Sequence, residues 1–149
     1  AVVGAGGAAR AVGFGLLRAG GVPIIVNRTV SRGEALAERL GCAFHPLEDA
    51  AGIKADCLIN TTPVGMAPGF DRTPLTADVL GGFAWVVDIV YTPLRTRLLR
   101  EAAAAGCRTR SGLGMFVRQG AEQLRIWTGR IPPVDWMRRV VEARLTGAG

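Results

Sequence analysis

Lysine is nearly missing from this chain: Lys54 stands alone against seventeen arginines, and there is one histidine, His45, and one tyrosine, Tyr91. Any step that needs an amine or an imidazole therefore has a single candidate of each kind. Cysteine is equally scarce. Cys42, Cys57 and Cys107 lie far apart, form no C-x-x-C pair and leave an odd count, which excludes a disulfide framework or a zinc knuckle and gives no reason to expect a metal. They read as small buried hydrophobes in a reducing compartment. No apolar run approaches the ~18 residues that span a bilayer, and no basic segment leads into an apolar one as in a secretory leader. The expectation is a cytoplasmic chain with no membrane partner.

What is present is ordinary for an α/β domain: 49% hydrophobic and 20% charged residues in a length of 149, enough for one domain with a real core. Net charge is +6, almost all of it arginine. The arginines are scattered as singles and pairs without interleaved aromatics, which suits solvated helix faces better than a nucleic-acid surface. A few of them at one end of a sheet would suit a phosphorylated small molecule.

Short β-rich runs alternate with Ala/Leu/Arg-rich runs of helical length, the pattern of a doubly wound parallel sheet of about six strands with helices at the C-terminal end. Strands are expected at Val2-Val3, Val22 to Asn27, Cys42 to Phe44, Cys57 to Asn60, Phe83 to Asp88 and Cys107 to Thr109. Helices are expected over Gly7 to Ala19, Ser31 to Leu40, Arg95 to Ala105, Gly112 to Trp127 and Asp135 to Leu145, with a helical turn at Leu47 to Ala51. Ser31 and Glu34 have the spacing of a capping box, and Gly41 stops that helix. Thr61 to Gly82 reads as a long loop, and loops of that length inside a domain are often functional. Thr146 to Gly149 reads as a fraying tail.

Gly4-Ala5-Gly6-Gly7-Ala8-Ala9 matches G-x-G-x-x-A after a strand and at the mouth of a helix. The first glycine allows the tight turn, the second lets backbone N–H groups approach a pyrophosphate, and Ala9 lets helix and strand pack closely. NAD-binding versions of this Rossmann-type unit carry an acidic residue ~20 positions on, at the end of the second strand. Here that strand ends in Asn27-Arg28-Thr29, with Arg32 one turn later. Two guanidinium forks and no carboxylate point to a 2′-phosphate, and so to NADP over NAD.

Three further stretches, "NTTPVGM" (60–66), "DIVYTPLRTRLL" (88–99) and "SGLGMFVRQGAEQLRIWTG" (111–129), resemble the cofactor domain of shikimate dehydrogenases, as do "GAGGAARA" and "NRTVSR". The resemblance covers nearly the whole chain. It implies an NADP-dependent reduction of 3-dehydroshikimate to shikimate. By that likeness Gly4, Ala5, Gly6, Gly7 and Ala8 hold the pyrophosphate, and Asn27, Arg28, Thr29 and Arg32 hold the 2′-phosphorylated adenosine. Asn60 and Thr61 complete the cofactor side, Ile89 and the Gly112 backbone flank the nicotinamide, and Tyr91 and Gln119 reach the substrate. Methionine is also common where Ile89 stands, and apolar packing survives the change.

Other residues read more plainly. Met115 and Phe116 are expected in the core, Trp127 and Trp136 between the last two helices, and His45 in an exposed loop. Asp88 ends a strand, where it caps a turn or orients a ligand. The family's lysine and aspartate pair belongs to a separate N-terminal substrate domain, and no catalytic residue is expected in this chain. Lys54 lies before the fourth strand, at the wrong end of the sheet. Only three residues precede Gly4, which reads as a chain cut inside its first strand with that domain upstream. The isolated chain is then expected to bind NADP without turnover, as monomer or homodimer. The same stretches would serve a quinate/shikimate dehydrogenase or a dehydroquinate dehydratase–shikimate dehydrogenase fusion. A non-catalytic nucleotide-sensing or interaction module is the alternative from another class.

Overall fold

Six short strands build one parallel sheet in a computed structural model that describes residues 1–147. They are β1 (Val2–Val3), β2 (Ile24–Asn27), β3 (Ala43–Pro46), β4 (Cys57–Asn60), β5 (Trp85–Asp88) and β6 (Arg108–Arg110), in the spatial order β3-β2-β1-β4-β5-β6. The register pairs Val3 with Val26 on one side and with Asn60 on the other. Strand order reverses between β1 and β4, and in such sheets that switch point is where a ligand crevice opens at the C-terminal ends of the strands.

The four inner strands, β2, β1, β4 and β5, are mostly apolar because both faces are covered. Val2 and Ile25 pack with Ala9, Leu36 and Ala37, which come from α1 (Gly7–Arg18) and α2 (Val30–Leu40). Val3, Val26, Leu58 and Val86 face the other way. They pack with Leu80 of α3 (Ala77–Leu80) and with Leu98, Leu99 and Ala102 of α4 (Arg97–Ala104). Two long helices finish the chain, α5 (Leu113–Thr128) and α6 (Val134–Thr146). Leu113, Val117 and Ala121 of α5 are buried, whereas no residue of α6 is.

Several local expectations are corrected. Helix α2 starts at Val30 with Thr29 as its extended N-cap, so Ser31 sits inside the first turn and there is no capping box. Val22 lies outside β2 and is 90% exposed. β3 begins one residue late and runs to Pro46, so His45 is a half-buried strand residue. Proline is tolerated there because β3 is an edge strand. The loop after β4 contains α3. Cys107 is buried, but Cys42 and Cys57 are only partly so. Met115 is exposed and Phe116 half-buried. Trp127 and Trp136 are 74% and 58% exposed, so they are not buried between α5 and α6. Helix α6 holds through Thr146, whose hydroxyl donates to the Glu142 carbonyl at 2.9 Å; residues 148–149 of the expected tail lie outside the described residues.

Candidate functional site

At the switch point, the turn after β1 is pressed against the loop after β4. Gly4 has φ +120°, and a Cβ there would meet Thr61 Oγ1 at 2.6 Å, so conformation and space both demand glycine. The Gly4 N–H donates to the Val26 carbonyl at 2.8 Å. Thr61 closes the other side: its N–H and its hydroxyl both donate to the Val3 carbonyl, at 2.9 and 2.6 Å. Gly6 caps α1 in an extended conformation, and a Cβ on Gly6 or Gly7 would touch nothing within 4 Å. The first turn of α1 thus offers bare backbone N–H groups and its dipole to open space, the arrangement that accepts phosphate.

A hollow of about 290 Å3 lies beside this turn, lined by Ala5, Gly6, Gly7, Arg10, Arg32 and Arg39, with Ala35 and Leu36. Arg32 is therefore brought to the glycine turn. Arg10 and Arg39 join it, although neither was expected: Arg10 lies one turn beyond Gly6 and Arg39 two turns beyond Arg32, a spacing that puts them on the same helix faces. Arg28 is placed elsewhere, in a separate hollow of about 260 Å3 with Val30, Pro46, Leu47 and Glu48. Asn27 is turned inward to its own loop, its Nδ2 donating to the Thr29 carbonyl at 2.8 Å. Among the described residues, none of these four arginines is in an ion pair.

Across the switch point, the loops after β4, β5 and β6 meet. Asn60 is fully buried, so its side chain works behind the surface and not on it. It donates to Asp88 Oδ1 at 2.9 Å and accepts from the Thr62 N–H and hydroxyl at 3.0 and 2.7 Å. Asp88, also fully buried, accepts in addition from the Val90 N–H at 3.0 Å and the Thr96 hydroxyl at 2.7 Å. Thr96 in turn caps α4 by accepting the Leu99 N–H. Burial pushes the Asp88 carboxyl above its ordinary range, against the hydrogen bonds of Thr96, Val90 and Asn60 that pull it down. The role of Asp88 is thus to cap the turn after β5. The hub it forms with Asn60 and Thr96 is the part of the site that sequence reasoning missed.

Resting on this hub, Gly112 sits directly on Ile89. A Cβ at Gly112 would lie 1.9 Å from the Ile89 carbonyl oxygen, and the Gly112 N–H donates to the Val90 carbonyl at 3.1 Å. Tyr91 stacks on Phe116 of α5 with ring centroids 4.2 Å apart, and Gln119 is exposed one turn further along that helix. Thr61, Ile89, Tyr91 and Gly112 therefore form one wall. Lys54 is exposed three residues before β4, beyond the end of that strand opposite to this wall. No cluster of metal-ligating side chains occurs among the described residues.

A family model described as the shikimate 5′-dehydrogenase C-terminal domain matches residues 112–142, the segment that carries Gly112, Phe116 and Gln119. Shikimate dehydrogenase (NADP(+)) from Methanosarcina mazei is 47% identical over 149 residues, a match that covers 94% of this chain and 53% of that protein. This chain belongs to the shikimate dehydrogenase family. Shikimate 5-dehydrogenase from Thermus thermophilus, solved with NADP(H) and shikimate, superposes with a TM-score of 0.82 at 44% identity, over 93% of this chain and 52% of that one. Quinate dehydrogenase from Corynebacterium glutamicum, solved with NAD, superposes with a TM-score of 0.86 but at 31% identity, over 95% and 54%. The chain spans about half the length of the family members it matches.

Proposed function

We propose that this chain is the NADP-binding half of a shikimate dehydrogenase, which interconverts 3-dehydroshikimate and shikimate. The observation that carries the reading is the bare glycine turn at the switch point, with three arginines and no carboxylate in the hollow beside it. That donor set fits the group. The N–H groups of Ala5 to Ala8 would hold the pyrophosphate, Arg32 with Arg10 and Arg39 would hold the 2′-phosphate, and Arg28 would close the outer rim. Asn27 and Thr29 shape the strand end behind them. The cofactor supplies the hydride, and the protein supplies position and electrostatics.

The wall of Ile89 and Gly112 is where the nicotinamide would rest, with Tyr91 and Gln119 facing the substrate. Ile89, Gly112 and Gln119 carry no group that titrates, none of the four is an amine, imidazole or carboxylate, and a carbonyl reduction needs a group that moves a proton. The acid–base pair therefore comes from a second domain, and α5 and α6 present the surface for it. Leu124, Ile126, Trp127, Ile131, Trp136 and Val140, on these helices and the loop between them, are 40% to 92% exposed, and exposed apolar residues gathered on one region suit an interaction surface. The names of the relatives support shikimate over quinate. No helix among the described residues is long and apolar enough to cross a membrane. We place the enzyme in the cytoplasm, because its three free cysteines suit a reducing compartment.

The test is thermal unfolding of the chain with NADP+ or NAD+ at equal concentration. Binding to the native state alone stabilises by about 2.7 kcal/mol at a hundredfold excess over Kd. NADP+ should raise Tm by several degrees more than NAD+, and the chain alone should show no turnover of shikimate. Equal protection by NAD+ refutes the 2′-phosphate reading; turnover near that of a complete enzyme refutes the need for a second domain.

A further inference from the structure

At the sheet edge remote from the adenosine side, β6 has a neighbour on one side only. Beyond that free edge lies a hollow of about 520 Å3, between α4, the first turns of α5 and α6. Arg95, Arg110, Arg118 and Arg138 line it, together with Ser111 and Gly114. The four arginines come from four separate stretches: the loop before α4, the end of β6, α5 and α6. No aspartate or glutamate lines the hollow, and none of the four is in an ion pair among the described residues. Glu122, one turn after Arg118, is engaged by Arg125 instead.

The four guanidinium groups are exposed, so water and salt screen their mutual repulsion, and Arg110 also lies over the Trp85 ring at 5.7 Å; together they still make a positive field that draws a multiply charged anion. Free strand edges are often guarded by charge, and Arg110 on β6 itself fits that role. Arg118 and Arg138 do not, because they reach the hollow from two helices that lie off the strand. Guanidinium forks match phosphate and carboxylate oxygens two at a time. Gly114 adds an opening in the first turn of α5, since a Cβ there would meet nothing within 4 Å. The volume is that of a small-molecule site. No lining residue is shared with the glycine-turn hollow, and β6 stands three strands from β1, about 14 Å at ~4.8 Å per strand.

We propose that this hollow is a second anion site, for a small molecule that carries two or more phosphate or carboxylate groups. The test is calorimetric titration of the protein at its natural length with tripolyphosphate and, separately, citrate, in saturating NADP+ so that the glycine turn is filled. A parallel series in the Arg32→Ala background keeps the result independent of the NADP reading. At least one probe binds the wild type, and which one distinguishes phosphate from carboxylate ligands. Arg138→Gln weakens it roughly tenfold and Arg118→Gln with Arg138→Gln roughly a hundredfold, the scale of one and two charge-assisted contacts. Arg144→Gln, an equal loss of charge on the same helix outside the hollow, leaves Kd within about twofold. Binding that is equal in the double variant, or no binding of either probe to the wild type, overturns the proposal. So does binding of a short DNA duplex with neither small probe bound, which would make the four arginines a nucleic-acid patch.

Discussion

Asp88→Ala tests the hub that ties the site together. The substitution takes the acceptor from three donors at once: Asn60 Nδ2, the Val90 N–H and the Thr96 hydroxyl. A buried donor left unpaired costs about 1–3 kcal/mol, and the removal of a costly buried carboxylate returns part of the total. The net is a loss of about 4 kcal/mol, a large share of the 5–15 kcal/mol that holds most domains together. Urea unfolding of the chain should show the midpoint fall with little change in m-value. Asp88→Asn is the control. It keeps the oxygen that serves Asn60 and Val90, the Thr96 hydroxyl can rotate to accept, and the loss should be about 1 kcal/mol. The sign of the pH dependence is fixed by the raised carboxyl. Its stabilising share is full below the unfolded value of 3.8 and is lost as pH rises through the higher folded value. Wild type should therefore lose stability relative to Asp88→Asn as pH climbs from about 4. A loss under 1 kcal/mol for Asp88→Ala, or a wild type that gains on Asp88→Asn over that climb, refutes the reasoning.

The other consequences are more local. Gly112→Ala places a carbon 1.9 Å from the Ile89 carbonyl oxygen, which is backbone and cannot rotate away; α5 must shift, Tm should fall by several degrees, and NADP+ affinity should drop at least tenfold by titration. Arg32→Ala should erase the preference for NADP+ over NAD+ in the unfolding assay, while Arg28→Ala should only reduce it, because Arg28 lies in a different hollow from the glycine turn. Trp127→Ser with Ile131→Ser should change the stability of this chain by less than about 0.5 kcal/mol and yet impair the activity of the natural-length protein, since both side chains are exposed here.

Which features were legible in the sequence follows from how local their causes are. The glycine turn was legible because the constraint at Gly4 is a positive φ next to a helix start, written in adjacent residues. The parallel sheet was legible in apolar runs covered on both faces. Helix α2 was misread at its start because Thr29 and Ser31 are both good caps, and the choice was made by the extended backbone at Thr29. The exposure of Trp127 and Trp136 was not legible at all: an apolar residue on a helix states that it needs a partner, not where the partner is. The hub of Asn60, Asp88 and Thr96 was hidden for a similar reason. Each residue looks like an ordinary turn polar group in sequence, and only the register of Asn60 beside Asp88 brings their side chains within a hydrogen bond.

These differences in cause also explain the division of labour within the site. Two close approaches, Gly4 on Thr61 and Gly112 on Ile89, lock the loops after four strands into one wall. The one buried carboxylate behind that wall has three hydrogen-bond donors and is spent on structure. What the glycine turn and its hollow present outward is backbone N–H, apolar surface and guanidinium, groups suited to holding a dinucleotide in place. On the proposed function, a chain built this way would fix where the hydride starts and leave the proton to a group on another surface. In that proposal the exposed apolar residues of α5, the helix that carries Gln119, and of α6 would be the surface that brings that group across the cleft.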